Sequence, residues 1–169
     1  MVKNNISKYI LMHLFTTLEQ EFSAQFIVPF QDKFSDDLSS MECRSQRYKL
    51  INDILIGKHY FSLGNIKFFA IFINSSDGMR KCMSIEKFTE FLGDDVDQFI
   101  DLCKNFTNIT INGLNLVTIR NGLAHGDGNV INRIPNSAES DLENIFFKSP
   151  NKLLLKILSL SKKQKTISQ

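Results

Sequence analysis

The stretch "LGNIKFFAIFI", Leu63 to Ile73, is apolar almost all the way round, and reading it as strand or helix decides the fold class. A short apolar run suits a central buried strand as well as a central buried helix, and periodicity alone does not separate them. Helix is favoured because Leu63, Ile66, Phe69, Ala70 and Ile73 also fit a 3.6-residue period. The flanking "SSDG" (Ser75 to Gly78) then reads as a turn.

Working outward, the same period recurs. Ile6, Ile10, Leu14, Leu18, Phe22 and Phe26 return every fourth position, widened by Leu11 and Phe15, and predict a long helix bounded by Pro29. A second helix is expected from Asp37 to Ile56, with Leu38, Met41, Tyr48, Ile51 and Leu55 inward and Gly57 at its end. Ser84 has the place of a cap for a short helix closed by Gly93, and Asp94 and Asp95 open the next, with Val96, Phe99, Ile100 and Cys103 inward. Asn112 to His125 reads as helix through Leu116, Ile119 and Leu123. Ser140-x-x-Glu143 has the form of a capping box, and Ser149 with Pro150 opens a last helix with Leu153, Leu154, Ile157 and Leu158 inward. Alternating strand and helix patterns, repeats and long linkers are absent. The expectation is an all-α, single-domain bundle of about six to eight helices over residues 1–161, with a basic, unstructured tail over 162–169.

Composition narrows the function. The 169 residues suffice for one sizeable core, and 43% hydrophobic with 22% charged side chains is a globular balance, with fifteen Phe and no Trp. A net charge of +2 from 20 basic and 18 acidic residues argues against bulk phosphate neutralisation. His13, Thr16, Thr17 and Glu19 interrupt the N-terminal apolar run where a signal peptide would be continuous. No run of about 18 apolar residues offers a membrane span. Cys43, Cys82 and Cys103, odd in number and widely spaced, read as reduced thiols filling the core of a cytoplasmic protein. His13 and His59 lack neighbouring ligands at metal-site spacing, and no metal or cofactor is expected.

The chemistry concentrates in "LVTIRNGLAHGDGN", Leu116 to Asn129. Arg120 lies at the edge of the apolar stripe, and Asn121 and His125, four apart, share another face, with His125 about 140° around from Arg120. Gly126 is a natural helix stop, "HGDGN" a turn, and Gly122 and Ala124 leave room for close approach by another backbone. His125 alone is also an ordinary helix ending, since an imidazolium favours the carbonyl-rich end of the dipole. The conjunction is more than that. Histidine, with an ordinary pKa of about 6.5, accepts or donates a proton near neutrality. Arginine brings fixed charge and paired donors to phosphate oxygens.

"RNGLAHG", Arg120 to Gly126, resembles the Arg-x(4-6)-His motif of the HEPN superfamily, in which Asn commonly follows the Arg and Gly often follows the His. The resemblance implies a metal-independent endoribonuclease of a toxin or phage-defence kind. Its catalytic residues would be Arg120, Asn121 and His125, and its partners an RNA substrate and a cognate antitoxin or defence protein. It also implies a homodimer whose two motifs line one cleft, so that Arg120 of one chain works with His125 of the other across an isologous contact. The alternative is a non-catalytic helical module binding RNA, nucleotide or a protein partner. A phosphotransfer bundle using His125 as acceptor fits less well, since such a His belongs mid-helix.

Overall fold

Spacings that let one side of a helix be buried recur along this chain, and helices follow from them. In this computed structural model, which describes residues 5–73, 82–148 and 153–168, with side chains in the last helix through Leu160, ten α-helical segments form. They are α1 (Asn5–Phe22), α2 (Val28–Lys33), α3 (Lys49–Leu55), α4 (Ile66–Ile73), α5 (Met83–Leu92), α6 (Val96–Asn108), α7 (Leu116–His125), α8 (Gly128–Ile131), α9 (Ala138–Glu143) and α10 (Leu153–Ser168). A hairpin of β1 (Thr110–Ile111) and β2 (Leu114–Asn115) precedes α7. Seven of these helices have seven or more residues, and the protein is an all-α bundle of the expected kind. The backbone of α10 runs through most of the basic C-terminal stretch.

The first helix explains its own irregularity. A repeat of four residues drifts by about 40° per step around a helix of 3.6 residues per turn. Leu14, Leu18, Phe22 and Phe26 are buried with Leu11 and Phe15, but Ile6 is 69% and Ile10 37% exposed, because the stripe has not yet rotated inward. Beyond Phe22, the residues Ser23–Ile27 wind as a π-helical turn in which the Val28 N–H donates to the Ser23 carbonyl. One added residue winds everything downstream back by about 100° and returns Ile27 and Phe30 to the buried side. Pro29 therefore does not end the helical run, as the sequence suggested, but sits in the first turn of α2, directly after the π-helical turn.

Phenylalanines join the helices. Phe99 of α6 meets Phe22, Phe26, Phe69 and Phe88 in tilted or edge-to-face contacts at centroid separations of 5.6, 5.1, 6.3 and 5.4 Å. Such a pair adds about 0.5–1.5 kcal/mol beyond the area it buries. Phe69 comes from "LGNIKFFAIFI", which is helical as expected: a 3-10 turn, Leu63–Asn65, leads into α4, with Ile66, Phe69, Ala70, Phe72 and Ile73 buried.

Four expectations need correction. Asp37 to Ile56 is helical only over Leu38–Ser40, as one 3-10 turn, and over α3. The Ser40 hydroxyl donates to the Asp37 carbonyl at 2.7 Å, a local bond that competes with helix continuation. Ser84 does not cap α5, since Cys82 holds that position. Its buried hydroxyl instead donates to Asn52 Oδ1 at 2.5 Å, so neither polar group is left unpaired. The helix expected from Asn112 starts at Leu116, because Asn112 and Gly113 take φ of 51° and 77° and close the hairpin Thr110↔Asn115, Ile111↔Leu114. Ser140 and Glu143 lie inside α9 rather than ahead of it, while Ser137 Oγ donates to Asp141 Oδ2 at 2.9 Å across the first turn. The expected turn at Ser75 to Gly78 and the Ser149–Pro150 cap lie outside the described residues.

The cysteines also differ from expectation. Cys43 and Cys82, 39 positions apart, form a disulfide with their Cα atoms 5.2 Å apart. The fold brings together two residues whose spacing carried no pairing signal. Cys103 is the core filler expected, and burial pushes its thiol pKa far up, so it holds no reactive thiolate. Counting thiols with a chromogenic disulfide reagent checks both points. The folded, air-oxidised chain should react at no cysteine, unfolding in denaturant should release one thiol, and prior reduction should release all three. Three thiols without reductant would contradict the Cys43–Cys82 bond.

Candidate functional site

The helix that carries "RNGLAHG" is bounded by specific chemistry at both ends. The Asn115 side chain accepts the Thr118 N–H at 2.7 Å, capping the start of α7. Gly126, at φ 67°, ends it in the left-handed conformation. Asp127 then caps α8, accepting the Asn129 N–H at 3.0 Å, and α8 folds back onto α7. A Cβ on Gly122 would run into the Val130 side chain. The room expected at Gly122 is thus filled by the chain itself, whereas Ala124 is exposed.

Arg120 and Asn121 are brought together, and with them a residue the sequence did not single out. Arg120 Nε donates to Glu19 Oε1 at 2.6 Å, in a pair whose side chains are 15% and 12% exposed. The same oxygen accepts the Leu63 N–H at 3.0 Å, so one carboxylate ties α1, the 63–65 turn and α7. Asn121 Oδ1 accepts from Arg120 Nη1 at 3.4 Å and lies over Gly64, where a Cβ would stand only 2.6 Å from that oxygen. Among the described residues the guanidinium makes no further hydrogen bond.

His125 stands apart. It is exposed in the last turn of α7 and makes no hydrogen bond among the described residues. Five residues place it about 7.5 Å along the axis and about 140° around from Arg120. Within one chain the two do not converge on a single point.

Glu19 was legible only as a charge at the flank of an apolar stripe, one residue beyond Leu18. Its partner lies 101 positions away, and nothing local identifies it. His13 and His59 are exposed, and among the described residues no group of three or more His, Cys, Asp or Glu is placed to hold a metal ion. A groove of about 340 Å³ between α4 and α6 is lined by Lys67, Ile71 and Lys104, and another of about 250 Å³ between α6 and α10 by Asp101 and Lys156. Neither includes the α7 residues. No helix among the described residues is long and apolar enough to cross a membrane. Comparison with protein-family models, curated proteins and solved structures returned no match to this chain.

Removing Glu19 leaves the largely buried Arg120 without its counter-charge. Glu19→Ala should lower the unfolding free energy by about 3 kcal/mol in urea titrations, and Glu19→Ala combined with Arg120→Met should recover part of it. A loss below roughly 0.5 kcal/mol would mark the pair as an ordinary surface contact. Gly64→Ala should also destabilise, by about 1–3 kcal/mol in the same assay, since Asn121 or the 63–65 turn must move.

Proposed function

We propose that this chain is an endoribonuclease of the HEPN type, acting as a homodimer whose cleft combines Arg120 and Asn121 of one copy with His125 of the other. The observation that carries the reading is the arrangement on α7: a guanidinium held by α1 with an amide beside it, and an exposed imidazole that the same chain does not bring to them. A two-fold contact supplies both parts at once.

In the reaction, an imidazole or a water takes the proton of the ribose 2′-OH. The O2′–phosphorus bond forms and the phosphorus–O5′ bond breaks. A proton is delivered to O5′, leaving 2′,3′-cyclic phosphate and 5′-hydroxyl ends. The Arg120 donors lie against the phosphate oxygens as charge grows on them, and Asn121 keeps the guanidinium in plane. No metal takes part. The corresponding role is a toxin or phage-defence effector in the cytoplasm, checked by a cognate protein partner. In that reducing compartment Cys43 and Cys82 would stand as thiols.

One observation favours a second reading. Glu19 already neutralises Arg120, and a guanidinium committed in this way suits a non-catalytic module that binds RNA, nucleotide or a protein partner. Turnover separates the two. With purified protein and labelled RNA, His125→Ala should slow cleavage by about a hundredfold or more while the circular dichroism spectrum is unchanged. Chelators should leave the wild-type rate unaltered, and light scattering should give twice the chain mass. Equal degradation by wild type and variant would expose a contaminant and end the proposal.

A further inference from the structure

Tyr60 is 92% exposed, more than any other large apolar side chain among the described residues. It is not on a slack loop. Gly57 turns the chain out of α3 at φ 85°, and the Asp53 carbonyl accepts the N–H groups of Lys58 and His59 at 2.7 and 3.0 Å. His59 Nδ1 donates to the Tyr60 carbonyl at 2.8 Å. The next residue, Phe61, turns inward and stacks on Phe22 at 4.3 Å, and two residues later the Leu63 N–H meets Glu19 Oε1. An aromatic ring is therefore held out in water by a segment fastened on both sides of it. Its anchor is the same carboxylate oxygen that holds Arg120. Three residues span at most about 11 Å, and the Leu63–Glu19 and Glu19–Arg120 contacts of 3.0 and 2.6 Å complete the path, so the Tyr60 backbone lies within roughly 17 Å of Arg120 Nε. Lys58 and His59 are exposed beside it, and Gly57 to Ser62 contains no carboxylate.

We propose that Tyr60 is a stacking platform for an unpaired nucleobase a few nucleotides from the scissile phosphate, with Lys58 against a neighbouring phosphate. A ring face accepts any base and a neighbouring cation follows the backbone, which is how single strands are held without sequence readout. This inference rests on RNA being the substrate, but its test does not need turnover.

Fluorescence anisotropy of a short labelled single-stranded RNA is measured with the full chain carrying His125→Ala, alone and with Tyr60→Ala or Tyr60→Phe added. Tyr60→Ala should weaken binding by about ten- to a hundredfold and Tyr60→Phe by no more than about twofold, and an abasic strand should abolish the difference between them. At its exposure Tyr60 supports no core, so misfolding does not account for a loss. Unchanged affinity in Tyr60→Ala, or equal losses in Ala and Phe, would overturn the proposal. So would intact RNA binding with weakened self-association, which would assign Tyr60 to the contact between copies. If Tyr60→Ala loses affinity while the wild type never cleaves, the stacking role stands and the nuclease reading falls. If His125→Ala abolishes cleavage while Tyr60→Ala binds normally, the reverse holds.

Discussion

Phe99 stands where four other rings converge, and the positions of α1, α4, α5 and α6 follow from filling that space. Interiors pack like organic crystals, so rings meeting edge to face fix the relative rotation of the helices as well as their separation. Phe22 reaches this cluster from α1 and Phe69 from α4. The rotation of α1 in turn sets where Glu19 emerges, and the start of α4 sets the 63–65 turn. The placement of Arg120 is thus a product of apolar packing several residues away from any charge.

The Glu19–Arg120 pair has two effects that oppose each other in the proposed reaction. It orients the guanidinium before substrate arrives, which removes a reorganisation cost from the chemical step. It also neutralises part of the charge that a phosphate would meet. Fixed direction with reduced charge suits a group that discriminates geometry more than one that attracts polyanions from a distance, and the small net charge of the chain agrees with that.

Much of the architecture could be read from residue order because the relevant signals are local. The apolar period of "LGNIKFFAIFI", the Gly57, Gly93 and Gly126 stops and the inward face of α6 each depend on neighbours within a few positions. What escaped has a physical reason in each instance. The strands flanking Asn112 and Gly113 are two residues long, too short for alternation to register, although Asn-Gly is itself a hairpin signal. The helix stops after Ser40, where a side-chain hydrogen bond to the Asp37 carbonyl competes with continuation, and apolar periodicity does not report such a bond. Of the site, Arg120, Asn121 and His125 were visible as residue types in a motif. The fastening of Arg120 was not, because Glu19 approaches it, and Gly64 approaches Asn121, only through tertiary structure.

The π-helical turn at Ser23–Ile27 carries a consequence for how this chain can vary. Substitution there changes one side chain, but losing a single residue would restore an unbroken α-helix and rotate Ile27 and Phe30 about 100° away from the interior. A length change of this size is usually harmless in a surface loop. Here it would act like a gear tooth removed, turning every later position of the shaft at once. Descendants of this sequence should therefore differ in the identity of these five residues far more readily than in their number.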